Sequence, residues 1–302
     1  MVRVPGSEKL ASSDSVDSGA LSSRPFQGLV NGGQSRAVVG AKVYVLQANT
    51  TGYGKPSVSL LTSRTGNPAD SIGHYVLTGE YGGFSIAGDY NCSAGRQVYL
   101  YVLGGNSGGN GSNSAIGLIA SLGACPEAGN FTTAAPFVFV NEVTTVAAAY
   151  AMAGIATDPT HVSSSETSGG STGMANAATL ASVATGFANA RPDSKVPQPK
   201  IHTFANILSA CINSSTPTSV SCNTLFTNAR SGGTIGTIPD DTAAAALNIA
   251  RNPHANVSAL YGLQPILSPP FLPALESAPP DFNLSHASEE LNNTVASVAI
   301  HP

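Results

Sequence analysis

Hydrophobic and polar residues alternate through the first half of the chain. Val39, Ala41, Val43 and Val45 fall on one face of an extended segment, and a period of two is typical of a half-buried strand. Glycine-rich and Asn-Pro turns separate such segments at intervals of about eight to twelve residues, which favours an antiparallel sandwich over a parallel sheet. The pattern predicts strands over residues 26–30, 38–48, 57–62, 73–78, 84–86 and 97–103.

The spacing changes to a helical period of about 3.6 near residue 140. Asn141 can cap a helix by accepting hydrogen bonds from the first turn, and Glu142 places a negative charge at the positive end of the helix dipole. One uncharged face then holds Val143, Val146, Ala147, Tyr150 and Gly154. We expect this to be the central helix of the second half, docked against the sheet of the first half.

Further helices are predicted on both sides of this central helix. The apolar residues between 113 and 122 suggest a short helix, and residues 174–187 form an alanine-rich one. An amphipathic pattern covers residues 201–212, and a shorter helix follows over 222–230. Asp240 and Asp241 open the last helix, which Pro253 interrupts and Leu260 continues.

These elements predict an α+β protein in which an antiparallel β-sandwich precedes an α-helical domain. The predicted divisions are a disordered leader over 1–24, the sandwich domain over 25–136, the helical domain over 137–264 and a proline-rich extended tail over 265–302. We expect the tail to wrap around the protein or to link it to something else, because prolines keep a chain extended.

Three motifs in the first half resemble the carboxypeptidase regulatory-like, or prealbumin-like, β-sandwich domain. They are GLV at 28–30, VGAKVYV at 39–45 and TGEYGGFSI at 78–86. Gly79 stands where that family usually has Asp, so a turn-capping carboxylate is missing. The resemblance covers about residues 26–103 and implies a noncatalytic module that supports, spaces or binds.

A second resemblance covers about residues 26–284. The motifs GDYNC at 88–92, GGN at 104–106, NEVTTVA at 141–147 and NIARNP at 248–253 are similar to those of uncharacterised secreted bacterial proteins, chiefly from acidobacteria. In that group the unit often precedes repeat domains such as β-propellers. This resemblance implies a location outside the cytoplasm and no particular activity.

Composition excludes several classes of partner. Charged residues make up 10% of the chain and the net charge is −4, so no basic surface is available for a nucleic-acid backbone. No apolar run reaches the roughly 20 residues that a membrane span needs. The low charge favours an extracellular or cell-envelope protein, although residues 1–24 lack the apolar segment of a signal peptide.

Four cysteines provide the strongest indication of compartment. No C-x-x-C pair is present among Cys92, Cys125, Cys211 and Cys222, so the spacing argues against a zinc site. We predict disulfides that join Cys92 to Cys125 and Cys211 to Cys222, as in a protein from an oxidising compartment. The alternative is four buried free thiols in a cytosolic protein.

One motif suggests nucleophilic catalysis. Residues 169–173, GGSTG, match the G-x-S-x-G pattern with Ser171 as nucleophile, and Asp193 with His202, or Asp241 with His254, follow in hydrolase order. However, a nucleophile elbow needs a buried strand immediately upstream, and residues 161–168 are polar. A secreted serine hydrolase is therefore the alternative function, and we expect residues 169–173 to belong to a flexible loop.

Other candidate sites are weaker. The glycine-rich residues 104–111 lack the Gly-Lys-Ser/Thr ending of a phosphate-binding loop and suggest a surface hairpin. No histidines fall at i, i+4 or in a metalloprotease motif, so we predict neither metal nor cofactor. The six histidines are His74, His161, His202, His254, His286 and His301.

Carboxylates and tyrosines leave two further hypotheses. Asp89 and Glu142 could meet if the central helix docks beside the sandwich, although Glu142 is better explained as a helix-terminus charge. Exposed tyrosines could stack on sugars, which makes a carbohydrate-binding module a further alternative. The tyrosines of the first half are Tyr44, Tyr53, Tyr75, Tyr81, Tyr90, Tyr99 and Tyr101.

The sequence therefore predicts a noncatalytic structural or binding module that works outside the cytoplasm. Its partner would be an unidentified protein or glycan, and a role in the cell envelope or in adhesion would suit such a module.

Overall fold

The computed structural model describes residues 25–108, 111–165, 171–189, 196–265 and 267–284. The predicted leader, residues 169 and 170 of the GGSTG motif, Asp193, His286 and His301 lie outside these ranges. Within them the protein is a mixed α+β structure with several antiparallel sheets. The strands are β1 Phe26–Gly32, β2 Arg36–Ala37, β3 Lys42–Gln47, β4 Val58–Ser59, β5 Val76–Leu77, β6 Gly83–Ile86, β7 Gln97–Leu103, β8 Gly117–Ala124, β9 Phe137–Val140, β10 Ala156–Asp158, β11 His161–Val162, β12 Ala181–Ser182 and β13 Phe187–Ala188.

Helices occupy most of the second half. They are α1 Glu142–Met152, α2 Ser171–Leu180, α3 Gln198–Ile212, α4 Val220–Asn228, α5 Thr242–Arg251 and α6 Val257–Tyr261. None of the helices in the described ranges has the length and apolar character that crossing a membrane requires.

The smaller of the two main sheets is centred on β1. Its antiparallel neighbours are β2 and β6, and Gly28 of β1 pairs with Phe84 of β6. On the remaining side β9 runs parallel to β1, so that Val30 is opposite Val140. This sheet therefore joins the start of the first half to the segment that leads into α1.

The larger sheet has the order β4-β3-β7-β8, and β5 also pairs with β3. Its centre is the long antiparallel pair β3–β7, in which Tyr44 is opposite Tyr101. The strands predicted over 38–48, 57–62 and 73–78 are shorter in the structure, because turns and isolated bridges take up their ends.

The predicted short helix at residues 113–122 is wrong, because most of this segment belongs to β8. It pairs along its whole length with β7, and residues from Gly117 to Ser121 are buried. A short apolar run that is buried on both faces has no alternation to distinguish a strand from a buried helix.

Helix α1 begins as predicted. The Asn141 side chain accepts a hydrogen bond from the Thr144 N–H, and the Thr144 hydroxyl accepts one from the Asn141 N–H, which completes a capping box. The predicted single apolar face is wrong, since every residue of α1 except Tyr150 is buried. Gly154 lies beyond the end of the helix. The helix packs against β8, α2, α3 and α5, so it is the core of the second half.

The alanine-rich segment is a helix for only part of its predicted length. Helix α2 ends at Leu180, and β12 and β13 then form a small hairpin. Gly186 closes that hairpin with φ of +74°, a conformation that glycine adopts easily. The helix predicted from the high helix propensity therefore does not continue through 181–187, where a turn is more favourable.

The proline-rich segment packs along α3 in its described part. Thr203 accepts a hydrogen bond from the Leu275 N–H at 2.8 Å, and Asn206 accepts one from the Phe271 N–H at 2.9 Å. Further along, the Phe282 side chain is buried against Phe204. These contacts fix the extended chain from 271 to 282 on the helical half. Pro253 lies between α5 and α6, as the sequence predicted.

Candidate functional site

Threonine hydroxyls connect the edge strand β8 to the first turns of two helices. The Thr242 hydroxyl at the start of α5 donates to the Gly117 carbonyl at 2.6 Å and accepts from the Gly117 N–H at 2.9 Å. In α1, Thr145 accepts from the Ile119 N–H and Thr144 donates to the Ile119 carbonyl. Side chains thus pair the backbone groups that a further strand would otherwise take.

A buried carboxyl lies at the same end of α1. Glu142 is fully buried, and its Oε1 atom accepts a hydrogen bond from the Gly33 N–H at 2.7 Å. Burial raises the pKa of Glu142 to about 8, although hydrogen bonds from its own N–H and from Gly33 oppose the shift. Its Oε2 atom has no partner among the described residues. Glu142 is therefore a protonated acid at neutral pH rather than the helix-terminus charge that the sequence suggested.

The hypothetical contact between Glu142 and Asp89 is not formed. Asp89 accepts hydrogen bonds from the Thr65 hydroxyl and the Asn67 amide in the first half. Glu142 instead lies near Asn213, which follows α3, since both side chains lie beside Gly32. A Cβ atom built on Gly32 would be 3.6 Å from Glu142 Oε1 and 3.0 Å from Asn213 Oδ1. The two carboxyls thus belong to separate polar clusters and do not form an acid/base pair.

A second buried carboxyl caps α5. Asp241 Oδ1 accepts from the N–H groups of Ala243 and Ala244, and Oδ2 accepts from the Tyr101 hydroxyl at 3.1 Å. Burial raises the pKa of Asp241 to about 6, the neighbouring Asp240 raises it further, and the bonds to the helix N–H groups and Tyr101 oppose the shift. Capping by Asp241 agrees with the sequence-based interpretation.

Tyr101 connects this cap to a polar group on the face of the larger sheet. Its ring stacks on Tyr44 with centroids 6.0 Å apart. The Tyr44 hydroxyl donates to Asp70 at 2.7 Å, and the Lys42 ammonium binds the same oxygen at 2.7 Å. Partial burial of Asp70 opposes the effect, but the hydrogen bonds from Lys42 and Tyr44 hold its pKa below the usual value.

A cleft of about 500 Å³ opens beside these residues, between the larger sheet and α5. Its acidic lining residues are Asp158, Asp240 and Asp241. Asp158 is bonded to Thr160 and His161, and these bonds outweigh burial and hold its pKa below the usual value. Since Asp158 and Asp241 both have structural partners, the cleft is an acidic recess without a free acid/base pair in the described residues.

The residues of the proposed hydrolase are not assembled in the described ranges. Ser171 is the first residue of α2, and its side chain is outside the description. Asp241 caps α5, while the His254 ring is 3.8 Å from Asp281. His202 is buried, and its Nδ1 lies 2.8 Å from the Pro273 carbonyl; burial lowers its pKa despite that contact. The Asp241–His254 pair that the alternative hydrolase would need is therefore not formed among the described residues.

Most tyrosines of the first half lie inside the protein rather than on a binding face. Tyr44, Tyr90, Tyr99 and Tyr101 are buried. Tyr75 is half-buried and packs edge-on against Tyr44. The exposed members of the set are Tyr53 and Tyr81.

The glycine-rich segment is anchored in its described part. The Ser107 hydroxyl donates to the Ile212 carbonyl at 2.6 Å and is buried, while Asn106 pairs with Val39. The loop therefore packs on the C-terminal end of α3, which corrects the expectation of a free surface hairpin. No group of three metal-binding side chains occurs in the ranges that the structure describes.

Both predicted disulfides are present. Cys92 is bonded to Cys125, with Cα atoms 5.9 Å apart, and Cys211 is bonded to Cys222, with Cα atoms 4.5 Å apart. The first joins the loop before β7 to the end of β8, and the second joins α3 to α4. All four cysteines are buried.

Comparison with known proteins identifies no relative. No family model matches the chain, and neither a curated protein nor a solved structure matches it.

Proposed function

We propose that this protein is a noncatalytic structural or binding module that works outside the cytoplasm, in the extracellular space or the cell envelope. The observation that supports this proposal best is the pair of buried disulfides, one in each half. Cytosolic reductants keep such thiols reduced, whereas exported proteins retain the bridges. The low content of charged residues, 10%, agrees with this compartment.

The hydrogen bonding of three ionisable groups supports a noncatalytic role. Asp241 and Asp158 are occupied as hydrogen-bond acceptors for helix, turn and tyrosine groups. Glu142 holds the Gly33 N–H at the contact between the halves. A catalytic acid or base must instead face a substrate and exchange its proton there.

We further propose that the two main sheets form a prealbumin-like sandwich of the carboxypeptidase regulatory-like kind. Support comes from the antiparallel pairs β1–β6 and β3–β7 and from the buried Phe26 and Phe84, whose rings are 6.1 Å apart. The parallel strand β9 and the threonine contacts to β8 would be additions made by the helical half.

Counting thiols tests the compartment. The protein is purified from its native source, denatured without reductant and alkylated with iodoacetamide, and its mass is measured before and after reduction. We expect no alkylation before reduction and four alkylated cysteines after it. Four free thiols in the unreduced sample would contradict the proposal.

Activity-based labelling tests the noncatalytic role. A fluorophosphonate probe reacts with activated serines, so we expect no labelling of the wild-type protein. Labelling that the Ser171→Ala variant loses would overturn the proposal in favour of a secreted serine hydrolase. A glycan array addresses the partner: saturable binding lost in a Tyr53→Ala or Tyr81→Ala variant would identify a glycan, and its absence would favour a protein partner.

A further inference from the structure

A cavity of about 530 Å³ lies between the end of β8, α2 and the β12–β13 hairpin. This volume is within the range of small-molecule sites. Its lining is mainly apolar and includes Leu122, Met174, Ala178 and Val183. No charged side chain is among the described residues that line it.

The walls of this cavity are held by hydrogen bonds to the rest of the fold. Asn189 donates from its amide to the carbonyls of Ala178 and Thr179 at 2.7 and 2.9 Å. The hairpin is held through Val183, whose carbonyl accepts from the Phe139 N–H at 2.7 Å, and through Gly186, whose carbonyl accepts from the Asn141 amide at 2.9 Å. The cavity is therefore largely formed before any ligand arrives.

The buried hydroxyl of Ser121 in the lining has no partner among the described residues. Ser121 is 8% exposed, and its Oγ atom makes no hydrogen bond within the described part of the chain. A buried hydroxyl without a partner is unfavourable. The Oγ atom is almost completely covered, so a ligand donor or acceptor would reach it through a small shift of the cavity wall and would then remove that penalty.

The alternation along β8 places the backbone N–H and C=O groups of Ser121 on the side of the strand that faces away from β7. Threonines pair the outward N–H and C=O groups of Gly117 and Ile119. The outward groups recur every second residue, so those of Ser121 come next. A β-bulge follows, since Tyr99 pairs with Ser121 and Val98 with Gly123. Bulges commonly redirect side chains next to functional sites.

We propose that this cavity binds a small, uncharged, mainly apolar molecule whose single hydrogen-bonding group contacts Ser121. A charged ligand is disfavoured, because the described lining residues offer no counter-charge to compensate for its loss of water. Such binding does not depend on the compartment in which the protein works.

Binding of N-phenyl-1-naphthylamine tests the proposal. This fluorescent probe is uncharged and apolar and carries one N–H group, which can donate to Ser121 Oγ. We expect saturable binding of one probe per chain, with a Kd on the order of 10 µM. Absence of saturable binding to the folded wild-type protein would overturn the proposal.

Filling the cavity provides the first variant. Ala178 is an exposed residue on α2 at the cavity wall, so Ala178→Trp should block the space without disturbing the core, and binding should weaken by roughly tenfold or more. Val220→Trp adds the same side chain at an exposed position of α4 and should leave binding unchanged. If Ala178→Trp unfolds by circular dichroism, Ala175→Phe at the same wall replaces it. Binding that survives a folded blocking variant contradicts the proposal.

Removing the hydroxyl tests the polar contact. Ser121→Ala should weaken probe binding by roughly three- to tenfold, the value of one hydrogen bond. In competition, 1-octanol should displace the probe at a lower concentration than octanoate. Equal binding by Ser121→Ala, or stronger displacement by octanoate, would show that the assigned ligand chemistry is wrong.

Discussion

Glu142 Oε1 accepts a hydrogen bond from the Gly33 N–H at 2.7 Å, across 109 residues of sequence. The contact joins the end of β1 to the first turn of α1 inside the protein. The pKa of Glu142 is raised to about 8, so the carboxyl at this connection between the halves holds its proton at neutral pH.

Stability should therefore decrease as the pH rises towards 8. The ordinary pKa of Glu142 is 4.5 and the folded value is about 8, so between them the folded protein holds a proton that the unfolded chain has lost. The free energy of unfolding then falls with pH by up to about 1.4 kcal/mol per unit. Glu142→Gln should remove this slope between pH 7 and 8, measured by urea unfolding.

The pH window is chosen to separate Glu142 from other buried groups. Asp241, whose pKa is raised to about 6, affects the pH dependence of stability only below that pH. His202, whose pKa is lowered from 6.5, also affects it only below the window. Glu127→Gln, a change at an exposed glutamate, should keep the wild-type slope. An unchanged slope in Glu142→Gln would contradict the assignment.

Asp241→Ala should destabilise the protein by about 2–4 kcal/mol. The variant loses the N-cap of α5, worth about 1 kcal/mol, and leaves the buried Tyr101 hydroxyl without its acceptor. Asp241→Asn keeps an N-cap acceptor and should cost less. In a double-mutant cycle Tyr101→Phe should recover part of the loss, whereas strict additivity would show that the two side chains are not coupled.

Thr145→Val should cost about 1–3 kcal/mol, because it leaves the buried Ile119 N–H without its partner while keeping the shape of the side chain. Thr227→Val makes the same change at an exposed position of α4 and should stay near the wild-type value. The measurement is urea unfolding of both variants. Equal stabilities would show that the threonine contact to β8 has no energetic role.

The two disulfides should contribute unequally to the free energy of unfolding. The bridges close loops with sequence separations of 33 and 11, for which chain entropy gives about 3.7 and about 2.8 kcal/mol. Replacement of Cys92 and Cys125 by Ala should thus destabilise the protein more than replacement of Cys211 and Cys222. The reverse order in nonreducing urea unfolding would mean that local packing outweighs loop length.

Local patterns in the sequence were sufficient to predict the features that depend only on neighbouring residues. The cap at Asn141, the cap at Asp241 and the break at Pro253 each follow from a few adjacent side chains. Both cysteine pairings also follow the chain, since each joins nearest cysteines. Where strand and helix were confused, at β8, the segment is buried on both faces, and hydrophobic periodicity then contains no information.

Features that depend on tertiary contact could not be predicted in this way. Thr144 and Thr145 lie in an otherwise apolar stretch, which indicates buried hydroxyls. Nothing in the sequence shows that these hydroxyls bond to the backbone of Ile119. The high pKa of Glu142 arises from burial by distant elements. Ser121 is likewise ordinary in sequence, and only the surrounding cavity distinguishes it.

The parallel pairing of β1 with β9 has a consequence for synthesis. The ribosome synthesises Phe26–Gly32 more than a hundred residues before Phe137–Val140. One edge of β1 therefore stays unpaired during that part of synthesis. Until β9 emerges, that edge is available to any other extended segment nearby. We therefore expect the growing chain to depend most on chaperones before α1 has been synthesised.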